Sequence, residues 1–249
     1  MDKTTRAIML VFCVAGFAVF AVLAFLAAGG GRERGVLPEG VGVKYSSVTS
    51  SDWVTESKPA PTQPPPGSND AMVRVRDYAP NIRVDLKYAT KHNMTGRRIY
   101  TFSEAYLRYG TVKKLLRAQK KLEKLGMGLQ IWDAYRPVSA QKKLWKVCPN
   151  PIYVADPSKH YWAHSRGNAV DLTLVDSDGT EMVMPTEFDN LTKLADRDYS
   201  DIDDAFAREN AKLLEDTMKA CGFEPYKEEW WHFSDTDSYG VVRKFEPPQ

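Results

Sequence analysis

Four side chains in two short segments of the sequence have the chemistry of a metal site. The first segment contains His164 and, seven residues later, Asp171. The second contains Glu229 and His232. Two imidazoles and one carboxylate are the ligands of a catalytic zinc site with an open fourth position, and a further carboxylate can act as a base. Each residue alone is an ordinary core or turn residue, but the combination predicts a zinc site.

The spacing of Glu229 and His232 leaves their geometry open. On a regular strand, residues three apart point to opposite faces, whereas on a helix they share one face. A common site therefore requires a helical segment, or a strand that twists, bulges or ends between the two residues.

A third segment adds a cation to the candidate site. Arg136 precedes Pro137, so its backbone is expected to be extended. A fixed guanidinium can stabilise the negative charge of a tetrahedral intermediate or bind a substrate carboxylate, and Asp133 can orient it. The alternative for this segment is an ordinary Asp–Arg surface pair at the end of a strand.

The N-terminal part of the chain predicts export. Lys3 and Arg6 precede an uncharged apolar run, residues 7–28, which is long enough to span a bilayer as a helix. We expect an uncleaved signal anchor in residues 1–29, with a cleaved signal peptide as the alternative. In both cases the rest of the chain lies in the cell envelope, outside the cytoplasm.

Two further regions follow the apolar run. Residues 30–70 are rich in glycine, serine and proline, which is typical of an extended linker. Residues 71–249 are long enough for one domain with a hydrophobic core. The net charge of +2 argues against nucleic acid as the main partner.

Periodicity within residues 71–249 predicts an α+β domain. Strands are expected at 73–78, 82–86, 129–132, 169–175 and 229–234. Helices are expected to begin at Ser103, Ser139 and Asp204 and to end near Gly126, Val147 and Ala220. The core face of the last helix is expected to contain Phe206, Leu213, Leu214 and Met218. Because β-α-β spacing is irregular, a central antiparallel sheet flanked by helices is favoured over a doubly wound fold.

Several separated segments, in order, resemble the D-alanyl-D-alanine dipeptidases, the zinc enzymes related to the vancomycin-resistance dipeptidase. The similarity runs from about Asp77 to Phe233. Its segments are 84–90, 93–96, 133–137, 153–157, 164–171, 185–189, 222–226 and 229–232. Several motifs in the same order are far more specific than any one of them.

The resemblance implies a fold, a cofactor and roles for individual residues. The fold is of the hedgehog/D,D-peptidase type, with one Zn²⁺ per chain, and the substrate is D-Ala-D-Ala or a peptide derived from peptidoglycan. The residues that match the family's zinc ligands are His164, Asp171 and His232. Glu229 matches the general base and Arg136 the residue that stabilises the oxyanion. Tyr88 and Asp189 match substrate-pocket positions.

The sequence departs from the family near the first zinc ligand. Trp162 stands where the family usually has serine, so the edge of the substrate pocket is expected to be bulkier. Hydrolysis of D-Ala-D-Ala or a related D-containing dipeptide is the preferred interpretation. A D,D-carboxypeptidase acting on peptidoglycan stem peptides is the second, and a non-catalytic, zinc-stabilised cell-wall binding module is the third.

Cys148 and Cys221 are the cysteines outside the apolar run. Export permits a disulfide, and pairing of these two residues is the simplest possibility. The alternative is that both remain free thiols, because sequence does not bring their Cα atoms within bonding reach.

Overall fold

The computed structural model describes residues 60–159 and 163–248. The predicted anchor (1–29), most of the predicted linker (30–70) and Trp162 lie outside the described residues. None of the helices formed by the described part of the chain is long and apolar enough to cross a membrane.

The described chain forms seven strands and four α-helices. In chain order they are β1 (Met72–Arg74), α1 (Val75–Tyr78), β2 (Arg83–Val84), β3 (Tyr106–Arg108), α2 (Tyr109–Glu123), β4 (Met127–Asp133), α3 (Val138–Val147), β5 (Ala169–Asp176), α4 (Ala205–Lys219), β6 (Phe223–Pro225) and β7 (His232–Asp235). Short 3-10 helices lie at Lys87–Ala89, His164–Arg166, Lys193–Ala195 and Tyr199–Asp201.

A five-stranded sheet with the order β2-β4-β5-β7-β6 forms the centre of the fold. The pairs β4–β5, β5–β7 and β6–β7 are antiparallel, whereas β2 runs parallel to β4. A second, two-stranded sheet pairs β1 with β3. The predicted α+β class is confirmed, and the central sheet is antiparallel as expected except at its edge strand β2, which runs parallel to β4.

The sheet is covered by α2 and α4, which contact β4 and β6 respectively and also each other. Every residue of β4 is buried, and in β5 only the last residue is exposed. Side chains from both layers build the core, among them Leu115, Leu122, Leu129, Ile131, Leu172, Leu174, Leu214 and Phe233. These two buried central strands position the side chains discussed below.

Element boundaries differ from the predictions where long-range pairing decides them. The predicted helix at Ser103 begins only at Tyr109, because the preceding residues pair with β1 as β3. The predicted strand 73–78 ends at Arg74 and continues as the single helical turn α1. At the start of α4, Asp204 accepts hydrogen bonds from the backbone N–H groups of Phe206 and Ala207, as a cap should. Phe206 itself is 62% exposed, so its assignment to the core is wrong.

The suggested disulfide is absent from the described structure, in which Cys148 and Cys221 are both free. Cys148 follows α3 and is half-buried, and its N–H donates to the carbonyl of Leu144. Cys221 follows α4 and is buried, and its carbonyl accepts from the guanidinium of Arg117 on α2. The two cysteines thus lie at the C-terminal ends of different helices, and Cys221 is buried in the core.

Candidate metal centre and active-site pocket

His164, the first predicted zinc ligand, lies in a tight turn. It opens the 3-10 helix His164–Arg166, which ends at Gly167 with a φ of 72°. This left-handed backbone conformation favours glycine, and a Cβ atom at this position would also lie 2.7 Å from the sulfur of Met72. The Nδ1 of His164 lies 2.8 Å from the carbonyl oxygen of Ala134. Because a carbonyl only accepts, Nδ1 carries the proton and Nε2 faces the pocket with its lone pair.

The other two predicted ligands are cross-strand neighbours in the central sheet. Asp171 of β5 pairs with His232 of β7, so both side chains lie on one face. The Nδ1 of His232 is 2.9 Å from Oδ1 of Asp171 and 3.2 Å from Nε2 of His164. The latter atom is 3.4 Å from Oδ2 of Asp171. One ligand atom from each of the three residues lies within 4.8 Å of the others.

The chemistry of these three side chains fits a zinc ion. Burial lowers the pKa of His232, which favours the neutral imidazole. Burial alone would raise the pKa of Asp171, but the imidazoles of His164 and His232 outweigh it and hold the pKa low. Neutral imidazoles and an ionised carboxylate are the states that bind metals. The second nitrogen of His232, Nε2, lies 3.3 Å from the hydroxyl of Ser234, a contact that orients a ligating ring.

Glu229 reaches the same site from a turn. The N–H of His232 donates to the carbonyl of Glu229 at 3.3 Å, and β7 begins only at His232. The alternation of a strand therefore does not apply between the two residues, and Oε2 of Glu229 lies 3.9 Å from Nδ1 of His232. Trp230 and Trp231, 0% and 1% exposed, anchor this turn in the core. Burial, followed by the charge of Asp171, raises the pKa of Glu229 well above its ordinary value.

Arg136 is buried in the pocket and does not form a surface pair. Its Nε and Nη2 atoms donate to Oδ2 of Asp133 at 2.9 and 2.7 Å. Burial alone would lower the pKa of Arg136, but the charge of Asp133 and those of its other neighbours together outweigh burial and raise the pKa. The Nη2 atom is 3.7 Å from Oδ2 of Asp171. The guanidinium is therefore held beside the candidate metal ligands in a fixed place.

Sequence analysis missed two residues that contact this group. The hydroxyl of Tyr100 donates to Oδ1 of Asp133 at 2.7 Å, and Nη1 of Arg136 donates to Oε1 of Gln141 at 3.1 Å. Neither residue belongs to a motif that carried the resemblance. Gln141 lies in the first turn of α3, only five residues after Arg136, and this short separation in the chain could have suggested that the two residues are close.

Tyr88 and Asp189 form another wall of the pocket. The hydroxyl of Tyr88 donates to Oδ1 of Asp189 at 2.9 Å, and the N–H of Met94 donates to Oδ2 at 2.9 Å. The ring of Tyr88 also lies 5.1 Å from the guanidinium carbon of Arg136. Burial raises the pKa of Asp189 to about 6. Among the described residues, Asp189 is the only one other than glycine with a positive φ, 60°, a conformation that aspartate tolerates.

All seven of these predicted residues line one cavity of about 380 Å³. They are Tyr88, Arg136, His164, Asp171, Asp189, Glu229 and His232. The rest of the wall includes residues 151–155 and 224–226, together with Met94, Gln141, Ala163, Leu191, Trp231 and Ser234. The eighth predicted residue, Trp162, falls outside the described residues, so its position relative to the cavity stays a prediction.

Known proteins with similar sequences include two D-alanyl-D-alanine dipeptidases. The D-alanyl-D-alanine dipeptidase of Escherichia coli (strain K12) is 37% identical over 154 residues, which cover 62% of this chain and 79% of that protein. The D-alanyl-D-alanine dipeptidase of Streptomyces coelicolor is 32% identical over 180 residues, covering 64% of this chain and 89% of the relative.

A solved structure, the vancomycin resistance D,D-pentapeptidase VanY in complex with Zn(II), is similar with a TM-score of 0.36 and 14% identity. The match covers 55% of this chain and 76% of that one. A similarity this weak carries no conclusion about function.

A family model gives the broadest match. The model of peptidase M15, described as D-ala-D-ala dipeptidase, matches residues 68–246. This range contains all the elements of the described fold and every residue of the cavity wall. The resemblance noted in the sequence is thereby confirmed. The chain belongs to the D-Ala-D-Ala dipeptidase family of metallopeptidases.

Proposed function

We propose that this chain hydrolyses D-Ala-D-Ala, or a related D-containing dipeptide, with one zinc ion held in the pocket. The observation that carries the proposal is the convergence of His164, Asp171, His232 and Glu229 in one cavity. Three of these residues supply metal-binding atoms, and the fourth supplies a separate carboxylate. A purely structural zinc site closes its fourth position with a protein ligand and needs no base.

His164, Asp171 and His232 would hold the ion. Zinc bound in this way supplies a Lewis acid that lowers the pKa of a water molecule and polarises a carbonyl group. The single carboxylate among the ligands offsets part of the charge of the ion. The hydrogen bond from His164 to the carbonyl of Ala134 fixes the ring in the orientation that presents Nε2.

Glu229 is proposed as the general base and then the general acid. Its carboxylate lies beside the proposed ligand His232, and its side chain is only 9% exposed. From this position it can accept a proton from the attacking water and return it to the nitrogen of the departing D-alanine. A residue that performs both steps must stay close to the metal ligands without binding the metal, as Glu229 does in a turn outside β7.

Arg136 is proposed to stabilise the negative charge that develops on the oxygen of the scissile carbonyl. Its guanidinium has five N–H groups, of which Asp133 and Gln141 engage three. Because Arg136 lines the cavity, the others can donate to a substrate oxygen. A preorganised, buried donor of this kind acts most strongly where charge appears in the transition state.

Asp189 favours a dipeptide over a longer peptide. Its half-buried carboxylate lines the cavity, and its two oxygens accept hydrogen bonds from Tyr88 and Met94. A free α-ammonium group would form an ion pair with this carboxylate, which has no ion pair among the described residues. A dipeptide has such a group one residue from the scissile bond, whereas the end of a stem peptide has an amide there.

The test compares three substrates with the full-length, zinc-loaded chain. They are D-Ala-D-Ala, its N-acetylated form and a pentapeptide that ends in D-Ala-D-Ala. We expect chelator-sensitive release of D-alanine from the free dipeptide, with a loss of at least about 100-fold in kcat/KM on acetylation. Release mainly from the pentapeptide would support the carboxypeptidase instead. Bound zinc without turnover of any substrate would support the binding module.

We also propose that the domain acts in the cell envelope, exported by residues 1–29 and separated from the membrane by the linker. The uncharged apolar run of residues 7–28 supports this proposal. Fractionation of cells that produce the full-length chain tests it. We expect the protein in the membrane fraction, accessible to external protease once the outer layers are opened. Recovery from the cytosol would contradict it.

Trp162 is proposed to shape the choice of dipeptide, because a bulky aromatic residue replaces the small one that the family usually has. Trp162→Ser tests this within the same substrate panel. We expect the ratio of kcat/KM between D-Ala-D-Ala and a dipeptide with a larger first residue to change, with zinc content preserved. An unchanged ratio would exclude Trp162 from substrate selection.

A further inference from the structure

Part of the cavity wall is a loop that follows α3. We call residues 150–159 the pocket loop, and those at 151–155 line the cavity. Two side chains from outside the loop bind its backbone. The hydroxyl of Tyr226 donates to the carbonyl of Ile152 at 2.7 Å, and Nε2 of Gln141 donates to the carbonyl of Ala155 at 2.7 Å.

Gln141 binds two partners that fix the orientation of its amide. Its Oε1 atom accepts from Nη1 of Arg136, while Nε2 faces the carbonyl of Ala155. A guanidinium can only donate, and a carbonyl can only accept, so a reversed amide would lose both hydrogen bonds. The side chain is 2% exposed, which means that water cannot replace these partners easily.

The contact with Gln141 completes the placement of Arg136. Both hydrogen bonds from Arg136 to Asp133 go to the same oxygen, Oδ2. A guanidinium held at one acceptor atom can still tilt about that atom, unlike one held by the two oxygens of a fork. The hydrogen bond from Nη1 to Gln141 is a separate point of attachment, on the other side of the guanidinium carbon. It therefore fixes the plane of the group.

We propose that Gln141 is a positioning residue that couples Arg136 to the pocket loop. One amide group binds both, so the guanidinium takes its full set of hydrogen bonds only when the loop lies against α3. The proposal rests on the role proposed above for Arg136 in stabilising the oxyanion. It adds that the positions of the pocket loop and of the guanidinium depend on each other and are fixed before the chemical step.

The experiment uses three variants of the full-length, zinc-loaded chain. Gln141→Met removes both hydrogen bonds at similar length. Gln141→Glu keeps an acceptor for Arg136 and removes the donor to Ala155. The matched control is Gln119→Met, because Gln119 is also a buried helical glutamine. It accepts from the N–H of Leu129 and donates to Glu123, outside the cavity wall.

Two measurements separate the contacts. We expect Gln141→Met to lower kcat on D-Ala-D-Ala by about 10- to 100-fold with a smaller change in KM, the size of one hydrogen bond to a charged group. Gln141→Glu should recover kcat to within about 5-fold of the parent. Hydrogen exchange of the pocket loop, followed by mass spectrometry, should accelerate in both variants and remain unchanged in Gln119→Met.

A double substitution distinguishes this proposal from the proposed function. In an Arg136→Lys background, Gln141→Met should lower kcat by less than about 3-fold, because its effect acts through Arg136. Full activity of Arg136→Lys would refute the role of Arg136 itself. Loss of activity in Arg136→Lys, combined with equal kcat in Gln141→Met and Gln119→Met, would refute only the positioning role. If Gln141→Met does not fold, the test relies on Gln141→Glu. Unchanged hydrogen exchange of the pocket loop in that variant would overturn the proposal.

Discussion

Glu229 and His232 are three residues apart in the chain, and their side chains meet in the pocket with Oε2 and Nδ1 separated by 3.9 Å. The contact is possible because Glu229 belongs to a turn and His232 begins β7. The two tryptophans between them fill the core, which leaves the acidic and imidazole side chains on the pocket side. One tightly anchored segment thus places a carboxylate and an imidazole side by side in the pocket.

Replacing Asp171 should remove the metal without unfolding the domain. In Asp171→Asn the carboxylate ligand is lost while the shape of the side chain is kept. We expect zinc affinity to fall by at least about 100-fold, more than the loss caused by removing an outer partner of a ligand. Dialysis against a graded series of chelator concentrations, followed by metal analysis, measures this.

The matched control for that measurement is Asp176→Asn, at the end of the same strand. Asp176 accepts hydrogen bonds from the N–H groups of Asp178 and Thr180 in an exposed turn. Its replacement should leave the zinc affinity unchanged. Equal affinity in the Asp171 variant and in the control would mean that Asp171 is not a ligand.

Asp133 should contribute to both stability and turnover. Its side chain is fully buried and pairs with Arg136, so Asp133→Asn leaves a buried guanidinium without its counter-charge. We expect a loss of about 3 kcal/mol in the free energy of unfolding and a decrease of about 10- to 100-fold in kcat. Urea denaturation and steady-state kinetics provide the two values.

A second buried aspartate separates these two effects. Asp235 pairs with Lys114 and is equally buried, but it lies on the face of β7 opposite His232 and outside the cavity wall. Asp235→Asn should lower stability by a similar amount and leave kcat within about 3-fold of the parent. If both variants lost turnover alike, instability would explain the effect of Asp133.

Asp189 should make stability depend on pH. Its pKa is raised to about 6 by burial, above an unfolded value of about 4. A raised pKa means that the contribution to stability is fully present below pH 4 and is lost as the pH rises through 6. Asp189→Asn does not titrate, and asparagine tolerates the positive φ. As the pH rises from 4 to 7, the free energy of unfolding of the metal-free variant should therefore increase relative to that of the metal-free parent, by about 3 kcal/mol.

Denaturant unfolding of both metal-free proteins at several pH values measures this difference. The same variant should have a higher KM for D-Ala-D-Ala, because it cannot pair with the α-ammonium group. If the free energies of unfolding of the two proteins changed in parallel with pH, the pKa of Asp189 would not be raised by burial.

The parts of the fold that sequence predicted are those with a strong local pattern. Alternation of apolar and polar residues marked β5, and the cap at Asp204 marked the start of α4. The parallel pairing of β2 with β4 was missed, because partners 47 residues apart, such as Arg83 and Gln130, leave no periodic trace. Phe206 was misplaced because the buried face of α4 runs through Ala207, Ala211, Leu214 and Met218, and Phe206 lies on the exposed side of this row.

Within the site, residue type was more informative than residue geometry. The candidate zinc ligands and the candidate base could be selected because few types of side chain bind zinc, and because their motifs resemble a known family. The contacts of Tyr100 and Gln141 were not foreseen, since hydrogen bonds to Asp133 and Arg136 depend on how loops fold over the site. Chemical identity is local in the sequence, whereas positioning is a property of the tertiary structure.

The most direct test of the account is the turnover of D-Ala-D-Ala by Glu229→Gln, measured together with zinc content. Glutamine keeps the size of the side chain but cannot accept the proton from water. We predict one zinc ion per chain in both proteins and a decrease in kcat of at least about 100-fold in the variant, the scale of general-base catalysis. Full turnover by a zinc-loaded Glu229→Gln protein would contradict the assignment of the base and, with it, the proposed mechanism.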